Sequence, residues 1–100
     1  MTTFTVTYRY REGSDAARTA HRPAHIAFLG DLHEAGLLYM SGPVAADPPG
    51  ALLVFEDADE ATLAERLDAD PFFVNDLIAH RGIAQWNVFF DPRANGAREC

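Results

Sequence analysis

The chain has 100 residues, of which 48% are hydrophobic and 23% charged, a size and composition typical of one compact soluble domain. No apolar run approaches the ~20 residues that cross a bilayer, and the first residues lead directly into an alternating segment, so we expect neither a membrane span nor a signal peptide. The single cysteine, Cys100, has no partner for an internal disulfide, and no cluster of Cys or His predicts a metal site. We therefore expect a protein of a reducing compartment, the cytoplasm.

The net charge of −7 is distributed unevenly along the chain. Residues 1–30 carry four arginines and two acids, whereas residues 31–100 carry four arginines and thirteen acids. Because no dense basic stripe is present, the composition argues against nucleic-acid binding, and the positive N-terminal third is a candidate site for a small anion. All eight basic side chains are arginines, which excludes Schiff-base chemistry through a lysine.

The first predicted elements are a strand and a helix. Apolar residues alternate with threonines over residues 3–10, a pattern typical of a strand that is buried on one face. A helix is predicted over residues 23–35, because Pro23 suits a first helical position and Gly36 suits the position after a helix end. Gly13, Ser14 and Asp15 indicate a break in the chain after the strand.

Two strands and a second helix follow. Residues 37–42 predict a strand that Gly42-Pro43 ends, and residues 51–56 predict a third strand after a proline-rich turn. Asp59 suits the N-cap of a helix that extends to Leu67. Both of these strands carry large apolar residues on both faces.

The last predicted elements complete a familiar order. Apolar pairs four residues apart predict a short helix over residues 71–79. A fourth strand is predicted after Gly82, over residues 83–90. The order strand, helix, strand, strand, helix, strand predicts an α+β, ferredoxin-like βαββαβ domain with a four-stranded antiparallel sheet. We assign this domain to residues 1–90 and a C-terminal tail to residues 91–100.

The second face of this sheet needs a cover. Two helices cover one face of a four-stranded sheet, and the apolar residues on the other face would form a larger exposed patch than a monomer usually carries. We therefore expect a homodimer that packs sheet to sheet.

His25 is the first candidate for chemistry. It lies three, four and seven residues before Phe28, Leu29 and Leu32, so it shares the inward stripe of the predicted helix. One interpretation is a hydrogen-bonded histidine of the core. The other is a general base in a cleft between helix and sheet, since imidazole exchanges protons near neutral pH.

Asp70 is the second candidate. Asp followed by Pro71 is a favoured N-cap and first-position pair, which is the structural interpretation. An aspartate at a helix N-terminus also accepts an imidazole N–H, and this contact would fix the tautomer of a catalytic histidine. The spacing of 45 residues does not show whether the carboxylate meets His25.

Other side chains are candidates for ligand binding. Arg18, His21 and Arg22 near the helix start either hold a carboxylate or enolate oxygen or are simply solvated. Four aromatic residues either form the floor of a pocket for a flat ring or belong to the core: Tyr8, Tyr39, Phe72 and Trp86.

Several motifs carry a resemblance to a known family: Arg22-Pro23-Ala24-His25-Ile26, Leu32-His33-Glu34-Ala35-Gly36, Ser41-Gly42-Pro43 and Asp70-Pro71-Phe72. Over about residues 3–90 the chain resembles the YciI-like (YCII-related) family. The resemblance implies a dimeric α+β barrel, related in architecture to muconolactone isomerases and small monooxygenases. It also implies an active site built on a His–Asp pair, here His25 and Asp70, with Arg22 and Ser41-Gly42-Pro43 in the same cleft.

The resemblance also suggests a type of reaction, because one branch of the family is linked to elimination of hydrogen chloride from chlorinated hydroxyquinones. We predict a cofactor-free lyase or isomerase that acts on a small oxygenated, cyclic or aromatic molecule, in which His25 removes a proton, Asp70 orients the ring and Arg22 offsets negative charge. The alternative is a non-enzymatic module that binds a metabolite or a partner protein in the same cleft. Cofactor-free use of oxygen is a third option that no residue favours. The loop over residues 44–50 is shorter than in many relatives, so the substrate is not transferred.

Overall fold

The computed structural model describes residues 1–92, so residues 93–100 of the tail predicted over residues 91–100 lie outside the described residues. The elements in chain order are β1 (Thr2–Tyr10), α1 (Asp15–Glu34), β2 (Leu38–Val44), β3 (Gly50–Asp57), α2 (Glu60–Leu67), α3 (Pro71–Val74) and β4 (Ile78–Gln85). The strands of this part of the chain form one antiparallel sheet in the order β2-β3-β1-β4. The ferredoxin-like βαββαβ prediction is confirmed, with the single turn of α3 added before the last strand.

The core lies between the helices and one face of the sheet, which we call the inner face. Its central residues pair across β1 and β3 as Phe4–Phe55, Val6–Leu53 and Tyr8–Ala51. Leu29 of α1 and Leu63 and Leu67 of α2 belong to the same buried cluster. Period-two alternation in β1 therefore places every second residue under a helix, as the sequence predicts.

Helix α1 begins eight residues earlier than predicted. It starts at Asp15, and Pro23 lies inside the helix on its exposed side. Pro23 lacks only the N–H that would bond the carbonyl of Thr19, and on an exposed side water can hydrate that carbonyl. The predicted C-terminal end is confirmed: Gly36 has a φ of +83°, and its N–H and that of Leu37 bond back to the last turn.

Strand β2 continues beyond its predicted end. Gly42-Pro43 was expected to end it, yet the strand runs to Val44, with Gly42 opposite Leu52 and Pro43 opposite Ala51. Strand β2 lies at the edge of the sheet, so one of its sides has no neighbouring strand. A proline whose missing N–H would point to that side removes no hydrogen bond between strands. The Ser41-Gly42-Pro43 segment is therefore part of the sheet, beside α1.

The predicted helix over residues 71–79 is wrong in its second half. Helix α3 ends at Val74, Asp76 adopts a positive φ of 59°, and β4 begins at Ile78 opposite Tyr10. The left-handed residue turns the chain back into the sheet, so the apolar pairs four residues apart do not share a helix. Gly82 lies inside β4, where an added Cβ would approach Thr7 Oγ1 to 2.9 Å.

The opposite, outer face of the sheet carries exposed apolar side chains. Met40, Val44 and Leu52 of the β2–β3 hairpin are exposed there, next to the threonines of β1. Strands two and three therefore present apolar residues on both faces, as predicted. Within residues 1–92, no helix combines the length and the hydropathy that crossing a membrane requires.

Candidate functional site

The first feature of the site is a short contact between His25 and Asp70. His25 lies on the face of α1 that packs against the sheet and is 8% exposed, and Asp70 is fully buried. Nδ1 of His25 is 2.7 Å from Oδ1 of Asp70. This distance is typical of a charge-assisted hydrogen bond. The fold therefore brings together two side chains that are 45 residues apart.

The carboxylate of Asp70 accepts two further hydrogen bonds. The backbone N–H of Phe72 donates to Oδ1 at 2.9 Å, and the hydroxyl of Tyr8 donates to Oδ2 at 3.0 Å. Asp70 is thus the N-cap of α3, as predicted, and contacts the histidine as well. Three donors compensate for burying a carboxylate, which without partners would cost several kcal/mol.

These contacts determine which nitrogen of His25 carries the proton. Because Asp70 accepts, Nδ1 of His25 donates, and Nε2 keeps its lone pair in the neutral ring. In the described part of the chain Nε2 has no hydrogen-bond partner. Every side-chain nitrogen or oxygen that is buried there does have a partner, so Nε2 is not buried. Nε2 is therefore accessible, and it opens onto the cavity that His25 lines.

Aromatic packing holds the imidazole in place. The ring of Phe72 is parallel to that of His25, with centroids 3.9 Å apart and an interplanar angle of 1°. The ring of Tyr10 meets Phe72 edge-on at 5.8 Å. The stack and the carboxylate together fix both the plane and the tautomer of the histidine.

A cavity of about 370 Å³ lies between α1 and the β2–β3 hairpin. Six of the seven predicted site residues line it: Arg22, His25, Ser41, Gly42, Pro43 and Phe72. Asp70, the seventh, lies behind His25. Of the other predicted aromatic residues, Tyr8 contacts Asp70, whereas Tyr39 and Trp86 are not among the lining residues. Within residues 1–92, no three His, Cys, Asp or Glu side chains cluster as metal ligands would.

The sequence placed Arg18 ahead of the predicted helix and left open whether it binds an anion or is solvated; in the structure Arg18 lines the cavity. Arg18 is 9% exposed, and its guanidinium stacks over the ring of Tyr10, which also lines the cavity. A usable signal was present: from Arg18, the spacing to Arg22, His25 and Leu29 is four, seven and eleven, a single stripe of one long helix. Starting the helix at Pro23 concealed that stripe.

The two buried tyrosines beside the site stay protonated. Burial raises the pKa of Tyr8, and the negative charge of Asp70 and the hydrogen bond to it raise that pKa further. Burial also raises the pKa of Tyr10, although the positive charge of Arg18 partly lowers it. At neutral pH Tyr8 is therefore a donor to Asp70.

A family model described as YCII-related domain matches residues 2–87 of the chain. A search of the curated proteins gives no match. Among solved structures, the chain is similar to 5-chloro-2-hydroxyhydroquinone dehydrochlorinase (TftG) from Burkholderia phenoliruptrix AC1100, which was solved in complex with 2,5-dihydroxybenzoquinone. The two are 24% identical over 85% of this chain and 93% of that one, with a TM-score of 0.75.

Two further structures share the fold at lower similarity. Protein Atu4242 from Agrobacterium tumefaciens is 20% identical over 87% of this chain and 92% of that one, with a TM-score of 0.55. A NIPSNAP family protein, Atu5224, from Agrobacterium tumefaciens strain C58 is 19% identical over 85% of this chain and 90% of that one, with a TM-score of 0.53. These likenesses support the architecture of the sheet and its helices.

Proposed function

The chain belongs to the YCII-related domain family, and we propose that it is a cofactor-free enzyme, a lyase or isomerase that moves a proton on a small oxygenated ring compound. One observation carries the proposal: Asp70 holds Nδ1 of His25 while Nε2 opens onto a cavity of about 370 Å³. A general base needs a free lone pair within reach of a bound substrate. The cavity is within the volume range of sites for small molecules.

The proposed reaction begins at Nε2 of His25. This nitrogen takes a proton from a ring carbon next to a carbonyl group, or next to a ring hydroxyl in its keto tautomer, and Asp70 stabilises the imidazolium that forms. The electron pair moves onto the substrate oxygen, where Arg22 offsets the negative charge. The anion then either expels a leaving group from a neighbouring carbon, as a lyase, or takes a proton at a different carbon, as an isomerase.

The chemistry of the cavity supports a ring compound as substrate. Leu29, Leu53 and Phe72 give it apolar walls, whereas its polar lining residues include Arg18, Arg22, His25 and Ser41. An apolar slot with few polar groups is typical of sites for flat rings. The structural neighbour TftG is named for a reaction on a chlorinated hydroxyhydroquinone, so compounds of this kind are the first to test.

The test follows both proton transfer and elimination. Hydroxylated and chlorinated ring compounds, including 5-chloro-2-hydroxyhydroquinone, are incubated with the protein in D₂O, and deuterium incorporation and chloride release are measured. We expect turnover by the wild type and a loss of roughly 10²–10⁴-fold in His25→Ala, the range for removal of a general base. His33→Ala is the matched control, because His33 is exposed on the same helix and does not line this cavity.

Full activity of His25→Ala would contradict the mechanism. If ring compounds raise the unfolding temperature but none is turned over, the result would instead favour the non-enzymatic binding module. Near-native unfolding temperatures of both variants would show that a lost rate is not a lost fold.

We also propose that two copies of the chain pack through the outer face of the sheet. Met40, Val44 and Leu52 are exposed on that face, and covering them would remove apolar surface from water. We expect light scattering at micromolar concentration to give about twice the chain mass of 11.0 kDa, and Leu52→Glu to give the single chain. A wild-type mass near 11.0 kDa would contradict the dimer.

A further inference from the structure

The charge of the cavity is opposite to that of the chain. The chain has a net charge of −7, yet the residues lining the cavity include Arg18, Arg22 and His25 and, among the described residues, no Asp or Glu. Asp70 is fully buried behind the imidazole and does not line the cavity. Two guanidinium groups in a mostly apolar cavity favour an anionic ligand over a neutral one.

The two arginines differ in how firmly they are held. Arg22 is exposed, so its attraction for an anion is weakened by water and salt. Arg18 is 9% exposed, and its Nε donates to the hydroxyl of the buried Ser14 at 2.9 Å. Its Nη2 donates to Asp15 at 2.5 Å, and the guanidinium lies 4.3 Å from the centroid of the Tyr10 ring. Arg18 is therefore fixed in position before any ligand arrives.

One nitrogen of Arg18 remains available. Nη1 has no hydrogen-bond partner within residues 1–92. Every side-chain nitrogen that is buried in this part of the chain has a partner, so Nη1 is not buried. It is therefore accessible where Arg18 lines the cavity. The side chain of Asp15 is 91% exposed, so water screens its charge. The pair with Asp15 therefore orients the guanidinium without cancelling its charge toward the cavity.

We propose that Arg18 is the anion-recognition residue of this site, and that the cavity takes a ring compound that bears an ionised oxygen. The proposal rests on the proposed function only in using the same cavity. The backbone positions of Arg18 and His25 are seven residues apart on one face of α1, which is a rise of about 10.5 Å along the helix axis. A bound ring is therefore held at its ionised oxygen by Arg18 while another part of it meets Nε2 of His25.

The test uses benzoate and benzamide, two rings of equal size that differ in one charge. Binding is measured by NMR titration, so turnover does not enter the result. We expect the wild type to prefer benzoate, and Arg18→Gln to weaken benzoate binding by about tenfold or more while benzamide binding is unchanged, because a hydrogen bond to a charged group is lost. Arg11→Gln is the matched control: it removes an exposed arginine that pairs with Asp76 and does not line the cavity.

Two measurements keep the proposal testable if Arg18→Gln does not fold. Arg18→Lys keeps the charge but not the planar fork, and we expect it to retain a reduced preference for benzoate. In the wild type the preference should persist in 1 M salt, where the screening length is about 3 Å, because a direct contact survives while attraction by Arg22 does not.

Three results would overturn the proposal. These are no preference for benzoate in the wild type, an equal loss of both ligands in Arg18→Gln, or a preference that disappears in salt. Failure of the acid–base proposal leaves the binding measurement unaffected, because His25→Ala removes turnover and not the guanidinium.

Discussion

Two aspartates of this chain, Asp57 and Asp70, are equally buried but face different surroundings. Asp57 ends β3 and is 1% exposed. It accepts a hydrogen bond at 2.7 Å from Nε of Arg66 in α2 and another at 2.8 Å from the N–H of Ala58. The side chain of Arg66 is 40% exposed, so this ion pair joins a helix to the end of a strand at the protein surface.

Asp70 has a titratable partner instead of a permanently charged one. Asp70 binds one ring nitrogen of His25, and the other ring nitrogen faces a cavity. By contrast, the hydrogen bond from Arg66 to Asp57 raises the pKa of Arg66, which therefore stays charged. The same residue type at the same burial thus serves attachment at one place and, in the proposed mechanism, proton transfer at the other. The partner and what lies beyond it decide the role.

Replacing Asp70 should lower turnover far more than replacing Asp57. We expect Asp70→Asn to lower turnover by roughly 10³–10⁴-fold, as for the aspartate of a catalytic triad, because an amide does not stabilise the imidazolium or enforce the tautomer. Initial rates on the substrate found in D₂O measure this effect. Asp57→Asn should keep the wild-type rate, and equal losses in the two variants would remove the distinction between the two aspartates.

Replacing the partners of the other pair should affect stability instead. We expect Asp57→Asn to lower the free energy of unfolding by about 1–3 kcal/mol, because a charged hydrogen bond is lost while Arg66 remains partly in water. Arg66→Gln should cost at least as much, because it leaves a buried carboxylate without its cation. Urea unfolding of both variants checks the order, and a larger loss in Asp57→Asn would be evidence against it.

Tyr8 offers a smaller, pH-dependent effect. Its pKa is raised above 10.0 in the folded chain, so above pH 10 the unfolded chain loses a proton that the folded chain retains. Folding stability therefore falls as pH rises, by up to about 1.4 kcal/mol per pH unit for this residue. In Tyr8→Phe this contribution is absent, so stability measured between pH 9 and pH 11.5 should fall less steeply. Identical slopes would show that Tyr8 titrates alike in both states.

The sequence predicts most of the sheet but not the full length of α1. Alternation in β1 and the cap at Gly36 are local signals, and both are confirmed. The start of α1 was predicted wrongly at Pro23. The preference of proline for a first helical position stabilises a helix start less than the burial of Arg18 and Leu29 stabilises one longer helix. Both ends of β4 were predicted wrongly: the strand spans Ile78–Gln85 and not residues 83–90, and the turn at Asp76 that starts it early is not visible in apolar spacing.

The site was predictable only in part from the residues themselves. The Asp70-Pro71 pair indicates a cap, and the inward stripe indicates a buried His25, but a contact across 45 residues is set by how α1 and α3 pack together. The resemblance to the YCII-related family supplied that pairing. Tyr8 as a third donor to Asp70 depends on the sheet register and has no local signal. A cytoplasmic location stays a prediction.

The tautomer of His25 tests the proposed site most directly, because it needs no substrate. Nitrogen-15 NMR of the imidazole at neutral pH distinguishes a protonated Nδ1 from a protonated Nε2, and the Asp70→Asn variant identifies the His25 signals. We expect a proton on Nδ1, held by Asp70, and an unprotonated Nε2 facing the cavity. A proton on Nε2 would leave no base there and would contradict the proposed role of His25.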